Sequence, residues 1–116
     1  MRSRETSPTL RVVPRHQETD VPRDATLFVS ASRPIGYSSA TRIRVRTEDR
    51  DVDGVIDTSS DGRILFWRPS AVLQAKIEHQ ITISGVRDTR GAPFDDLSTT
   101  FITGHFSYLD LSMVVE

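Results

Sequence analysis

Cysteine is absent from this chain of 116 residues. Without thiols, disulfides and thiolate metal sites are excluded. No apolar run approaches the ~20 residues of a membrane-spanning helix, so we expect no membrane insertion. The N-terminal MRSRETSPT has basic residues but no apolar stretch, so we expect no signal peptide in this chain.

Lysine is also scarce, because Lys76 is the single lysine among fifteen basic residues. Sixteen acidic residues balance them, and the net charge is −1 at pH 7. Such a charge gives no overall attraction to nucleic acid, so no nucleic-acid partner is expected. The length suits one domain with one core. A hydrophobic share of 36% and a charged share of 27% suit a small β domain with a large solvated surface.

Catalytic motifs are missing as well. No serine lies in a G-x-S-x-G sequence, and no phosphate-binding glycine loop is present. The three histidines are far apart and have no second metal ligand at strand or helix spacing. We expect His79 to be a hydrogen-bonded core residue and His16 and His105 to be solvated. We therefore predict that the chain is not an enzyme.

The segment Asp53 to Pro69 has the strongest local pattern in the chain, DGVIDTSSDGRILFWRP. Two β-rich runs flank a polar stretch that contains Asp61-Gly62. A glycine in this context accepts the positive φ that tight turns need. The segment therefore predicts a β-hairpin that carries Trp67, the largest apolar side chain, into the core.

Alternating apolar and polar residues predict further strands. They cover residues 9–13, 25–32, 41–47, 78–86 and 97–103. We interpret 15–24 as a polar connection and 70–76 as a loop or one helical turn that carries Leu73 inward. About seven short strands in regular succession predict an all-β fold, an antiparallel β-sandwich. The inward-facing positions predict one core, made of Leu27, Val29, Ile43, Val45, Leu65, Trp67, Ile81, Ile83 and Phe101.

Short motifs in a fixed order give the chain a family resemblance between Asp20 and Gly104. They are Val21-Pro22, the strand Leu27 to Ala31, Pro34, Gly54, Asp61-Gly62, Leu65, Trp67, Pro69, Leu73, Gly85-Val86, Asp88, Gly91 and Phe101-Ile102-Thr103-Gly104. In these residues the chain resembles the bacterial Ig-like domains of S-layer and other cell-surface proteins. His79 departs from the pattern, because the family usually has Tyr there.

The resemblance implies an Ig-like sandwich, an extracytoplasmic location and a structural or binding role. It implies no catalytic residues, and a fold alone does not give a function. We predict a flexible N-terminus over residues 1–8, the domain over 9–104 and a tail over 105–116. The leading interpretation is a spacer module with neighbouring domains. The alternative is a module that binds a protein or a glycan through a sheet face, loops or the tail.

An acidic segment before the hairpin has the D-x-D-x-D-G spacing of calcium loops. Its ligands would be Asp49, Asp51, Asp53, the carbonyl of Val55 and Asp57. Position twelve of such a loop should be Glu and is Ser60 here. The alternative is a solvated connection that offsets nearby arginines. We expect no cofactor, with calcium at this segment as the exception to test.

Arginines alternate along the strand at 41–47, where Arg42, Arg44 and Arg46 point outward. Such a stripe would hold an acidic glycan. The alternative, which we favour, is a solvated face paired with acidic residues on neighbouring strands.

A partner-binding surface is predicted from apolar residues that face away from the core. Phe28, Ile64 and Phe66 do so on the strands around the hairpin. The tail has a second apolar row at Leu109, Leu111, Met113 and Val115. We predict that the tail is either an added strand, over 106–115, or a linker.

Overall fold

The computed structural model describes residues 9–36 and 41–107. Nine strands cross this part of the chain. They are β1 (Leu10–Val13), β2 (Glu18–Val21), β3 (Leu27–Ala31), β4 (Arg42–Arg46), β5 (Asp51–Val52), β6 (Gly54–Thr58), β7 (Ile64–Pro69), β8 (Glu78–Ser84) and β9 (Leu97–Thr103). One sheet has the order β1-β3-β7-β6 and the other β2-β9-β8-β4-β5. The predicted β-sandwich is confirmed, with nine strands in place of about seven.

The core lies between the two sheets, where the predicted inner positions meet. Eight of the nine predicted residues are buried, and Ile43 packs partly buried against them. Leu73 is buried on a loop between β7 and β8, as predicted. Val86 and Phe94, from the turn-rich segment after β8, also contribute to the core. No helix in the described ranges is long and apolar enough to cross a membrane.

The polar connection predicted for residues 15–24 is wrong, because β2 lies within it. Three of the four β2 residues are exposed and Val21 alone is buried, so the strand shows no apolar alternation. Gln17 and Asp20 also have positive φ angles of 64° and 56°. The strand pairs with β9 in parallel. The sandwich is therefore mixed, whereas the sequence predicted an antiparallel one.

A second short strand interrupts the acidic segment. Asp51 and Val52 form β5, which pairs with β4 in the five-stranded sheet. Only Asp53 separates it from β6, which pairs with β7 in the four-stranded sheet. The acidic segment therefore changes from one sheet to the other.

The chain enters and leaves the sandwich at opposite ends. At one end, where β3 finishes, the Ser32 N–H donates a hydrogen bond to the Thr9 carbonyl at 3.0 Å. At the other end, just before β3 begins, the Arg23 N–H donates to the Phe106 carbonyl at 3.0 Å. The full length of β3 thus lies between the two places.

Candidate binding surface

The outer face of the four-stranded sheet carries three apolar side chains in one line, Val13, Phe28 and Phe66, which we call the outer row. Val13 lies opposite Phe28 in the β1–β3 ladder, and Phe28 lies opposite Phe66 in the β3–β7 ladder. The two phenyl rings meet edge to face, with centroids 5.4 Å apart. Val13 is 53% exposed and Phe28 41% exposed. The outer row is therefore an accessible apolar strip across three strands.

Ile64 lies beside the outer row on the same face, because it is two residues from Phe66 along β7. The structure thus brings together the three residues predicted here, Phe28, Ile64 and Phe66. The sequence interpretation missed two apolar residues of this face, Val13 and Val55. Val55 lies on β6 and is 56% exposed. Alternation along β1 could have placed Val13, but the neighbours of a strand cannot be deduced from its own sequence.

Charged side chains border the apolar strip. Asp57 lies opposite Phe66, and Arg68 lies opposite Val55 in the β6–β7 ladder. Beyond Phe28, a surface hollow of about 340 Å³ is lined by Pro14, Val21, Pro22 and neighbouring residues. The strip and this hollow form an apolar surface with a polar rim, which is the usual anatomy of a protein interface.

The predicted calcium ligands lie on different faces. Asp51 lies opposite Arg46 on the outside of the five-stranded sheet, and Asp57 lies outside the four-stranded one. Within the described residues, no group of three His, Asp or Glu side chains is placed to hold a metal ion. Asp49 lies in the turn between β4 and β5, Asp53 lies between β5 and β6, and Val55 lies on β6. Calcium binding itself stays a prediction.

The arginine stripe is exposed along β4, as predicted. Asp51 binds two of its members, Arg44 at 3.2 Å and Arg46 at 2.9 Å. These ion pairs match the interpretation of a solvated face that acidic residues offset. All three side chains are about half exposed, so the pairs contribute little to the free energy of folding.

His79 is fully buried on β8, as the sequence interpretation proposed. Its ring stacks on Phe101, with centroids 4.9 Å apart, and Nδ1 lies 3.2 Å from the Ile77 carbonyl. A carbonyl only accepts, so Nδ1 donates and the lone pair of the neutral ring is on Nε2. Nε2 has no protein partner in the described residues. Burial lowers the pKa of His79, although the Ile77 carbonyl opposes the shift.

The other two histidines are exposed, as predicted. His16 nevertheless makes specific contacts, because its Nδ1 lies 2.9 Å from Thr99 Oγ1 and accepts from the Thr100 N–H at 3.3 Å. No local pattern predicts these contacts, which join residues more than 80 positions apart.

Asp88 organises the turn after β8, the turn that the resemblance had picked out. Its carboxylate accepts hydrogen bonds from the N–H groups of Ala92 and Arg90, both at 2.9 Å. Arg33 donates to the same carboxylate at 3.2 Å. These hydrogen bonds, with the one from Ala92 first, hold the pKa of Asp88 below its usual value. Its role is structural.

Two predictions lie outside the described residues. They are the flexible N-terminus at 1–8 and the apolar row of the tail at Leu109, Leu111, Met113 and Val115. The first tail residues are described, and Phe106 pairs with Arg23 through the backbone.

Comparison with known proteins identifies one family. The family described as "Bacterial Ig-like domain" has a model that matches residues 4–106. Among curated proteins, none matches the chain.

Solved structures share the fold. The N-terminal part of the bacterial S-layer protein SbsC is 14% identical, with a TM-score of 0.64, over 85% of this chain and 24% of that one. PcoC, a copper resistance protein from Escherichia coli, is 11% identical, with a TM-score of 0.66, over 80% of this chain and 95% of that one. L,D-transpeptidase 3 from Mycobacterium tuberculosis is 19% identical, with a TM-score of 0.52, over 80% of this chain and 35% of that one. The chain thus spans about a quarter of the S-layer fragment, and at these identities the likeness shows the fold alone.

Proposed function

The chain belongs to the bacterial Ig-like domain family, and from this membership we propose that it is a non-catalytic structural module of a secreted or cell-surface protein. The observation that carries the proposal is where the described part of the chain enters and leaves the sandwich. The chain enters beside Ser32 and leaves beside Arg23, at opposite ends of the sandwich. A module with this geometry adds its own length between the domains before and after it.

The buried polar groups support a role without catalysis. Asp88 holds a turn through its carboxylate. Thr103 Oγ1 donates to the Gln74 carbonyl at 2.7 Å and so fixes the loop before β8. Buried polar groups that are satisfied in this way stabilise one fold. Catalytic groups instead converge on a cleft where a substrate can reach them.

Small-angle scattering tests the spacer role with two copies of the chain joined in tandem through their own terminal residues. A compact protein of twice this length would have a radius of gyration of about 17 Å. The proposal predicts a clearly larger value, because each copy adds its length in line. A scattering profile of a compact pair would contradict the spacer role.

The proposal includes an extracytoplasmic location. Family membership supports it, as does the S-layer protein among the structural neighbours. Protease treatment of intact native cells tests it. Degradation without lysis, while a cytoplasmic marker survives, is the expected result. If the protease degrades the protein only after every cell membrane has been lysed, the extracytoplasmic location is contradicted.

A second candidate function is binding of a protein or glycan partner, and the outer row favours it. Apolar strips with a polar rim are typical of interaction sites. The double variant Phe28→Ser/Phe66→Ser should abolish capture of a partner on a glycan array or from the native cell envelope. Its matched control is Val72→Ser, which removes an exposed apolar residue from the loop after β7. Loss of capture in both variants, or in neither, would contradict a site on the outer row.

The tail belongs to this second candidate. We propose that it serves as an added strand, on this domain or on the sheet edge of a partner. Deletion of residues 108–116 should then lower the melting temperature or change the oligomeric state. An unchanged melting temperature, solubility and oligomeric state would make the tail a linker.

A further inference from the structure

We propose that residues 108–116 of this chain fold back over the outer row and the hollow beside it, and so cap the domain's own binding surface. The inference deepens the second candidate function, a binding surface on the outer row, and rests on it. Of the two places proposed for the tail, it selects this domain.

The last described residues bring the chain to the hollow. The Phe106 carbonyl accepts a hydrogen bond from the Arg23 N–H at 3.0 Å. Pro22 and Asp24, on either side of Arg23, line the hollow. Ser107 is 3% exposed, so the chain is still packed against the sandwich one residue before the segment starts. Residues 108–116 therefore begin beside the hollow.

The hollow leads from this point to the outer row. Its lining includes Val13 and Phe28, two members of that row. Val21 and Ala25, both buried, also line it. Phe66 follows on the far side of Phe28. The hollow and the outer row are thus one continuous apolar surface, and the chain leaves the sandwich at its edge.

The tail has the pattern and the length to cover this surface. Its apolar row recurs at every second residue, so the four members lie on one side of an extended chain. Nine extended residues reach at most about 30 Å. The outer row crosses three strands, which is about 10 Å. The segment 1–8, in contrast, leads into the opposite end of the sandwich and has no apolar row.

Charge also favours the tail as the occupant. The tail contains two acidic residues, Asp110 and Glu116, and no arginine or lysine. The outer face has two exposed arginines beside the apolar strip, Arg11 on β1 and Arg68 on β7. They outnumber the acidic Asp57 of the same face, and neither forms an ion pair within the part of the chain that the structure describes. The tail therefore meets complementary charge at the rim of the surface that its apolar row covers.

Attachment to the same chain gives the tail an advantage over any separate occupant. A tethered segment has an effective concentration in roughly the millimolar range, which a second copy does not reach at ordinary dilution. The tail thus competes with a partner for the outer row. The binding surface is free only when a partner displaces the tail.

Nuclear magnetic resonance with a spin label on the tail tests this placement in the full chain, which has no cysteine of its own. The label is attached at Ser112→Cys, on the side of an extended tail away from the apolar row. It should broaden the signals of Val13 and Phe28. The signals of Thr82, on the outer face of the five-stranded sheet, should stay sharp.

A mixed sample separates contacts within one molecule from contacts between copies. It contains isotope-labelled native protein and spin-labelled protein without isotopes. We expect no broadening of the outer row in this mixture. Broadening that appears equally in the mixture would assign the surface to the tail of a second copy and overturn the cap, and so would the absence of broadening in both samples.

Variants of the tail give an independent test. Leu109→Ser/Leu111→Ser removes half of the apolar row, so it should raise the fluorescence of an apolar dye about twofold by uncovering the outer row. The matched control is Val114→Ser. Val114 is apolar, but it lies between two members of the row, on the other side of an extended tail. This control should keep the native fluorescence.

The outcomes separate the cap from the binding surface beneath it. If Leu109→Ser/Leu111→Ser leaves the dye fluorescence unchanged, or if Val114→Ser raises it as much, the cap is wrong. The binding surface still stands in that case if Phe28→Ser/Phe66→Ser abolishes capture of a partner. If the dye fluorescence rises as expected but Phe28→Ser/Phe66→Ser captures a partner as well as the native protein does, the tail covers the outer row and the second candidate function is wrong.

Discussion

At the scale of single residues, Gly54 determines how Trp67 packs. Gly54 lies at the start of β6, and a Cβ at this position would overlap atoms Cε2, Cζ2 and Nε1 of the buried indole. The tryptophan is 2% exposed, so its ring is enclosed by the core. The glycine is therefore required by close packing against a side chain.

The first prediction is that Gly54→Ala lowers the free energy of unfolding by about 1–3 kcal/mol, the usual cost of overpacking a core. Trp67→Phe removes the atoms that overlap. In the Gly54→Ala background it should therefore cost less than in the native protein, and chemical denaturation of the four proteins measures this coupling. Additive effects would show that the methyl group and the indole do not compete for the same space.

His79 provides a prediction for pH. Burial lowers its pKa in the folded protein, whereas the ordinary value of 6.5 applies to the unfolded chain. As the pH falls below about 6.5, the unfolded chain binds a proton that the folded protein does not bind, and stability decreases. The loss continues until the lower pKa of the folded protein is passed.

His79→Phe keeps a ring stacked on Phe101 and removes both the titration and the unpaired Nε2. It should flatten the loss of stability between about pH 6.5 and 5, a loss whose slope is at most about 1.4 kcal/mol per pH unit for one group. Denaturation at a series of pH values measures this. The control is His105→Gln, which should keep the native slope. If the His79→Phe protein loses as much stability at low pH as the native protein, His79 is not the cause of that loss.

At the scale of elements, the sequence predicted strands that show a strict alternation or a clear turn. The hairpin of β6 and β7 was predictable because Gly62, with a φ of 73°, lies where the turn needs it. Strands β8 and β9 were predictable because apolar residues occupy inward positions, Ile81 and Ile83 on β8 and Leu97 and Phe101 on β9. The glutamate, threonine and aspartate of β2 carry no such signal, and only pairing with β9 keeps them extended.

The outer row shows the same limit for a candidate site. Alternation predicted that Phe28 and Phe66 face outward, since both lie between core residues. Their contact depends on the β3–β7 register, which joins residues almost forty positions apart. Val13 depends in addition on β1 being the next strand. A sequence can thus predict the side on which a residue lies but not the neighbours that it meets across strands.

The acidic segment leads to a prediction about calcium. Arg44 and Arg46 hold Asp51 on one face of the sandwich, and Asp57 lies on the opposite face. We therefore expect equal melting curves in millimolar calcium and in EDTA, because an ion bound to the native state alone would raise the melting temperature. A rise with calcium that Asp53→Asn removes would contradict this expectation and support the calcium loop.

At the scale of the whole molecule, the two sheets share one core, and the connections between the sheets place Thr9 and Phe106 at opposite ends of the sandwich. Residues 14–17 carry the chain from β1 in one sheet to β2 in the other. Strand β2 then continues beside β9 to the end where the chain leaves. The spacer role depends on this path.

One distance tests whether the chain enters and leaves the sandwich at opposite ends. It is measured by pulsed electron resonance between spin labels at Thr9→Cys and His105→Cys, both exposed positions. The labels should be at least about 20 Å apart, roughly the length of a seven-residue strand. A control pair at Thr9→Cys and Ser60→Cys, both at the end where β3 finishes, should give a clearly shorter distance. If Thr9 and His105 are as close as the control pair, the chain enters and leaves at the same end, and the spacer role is contradicted.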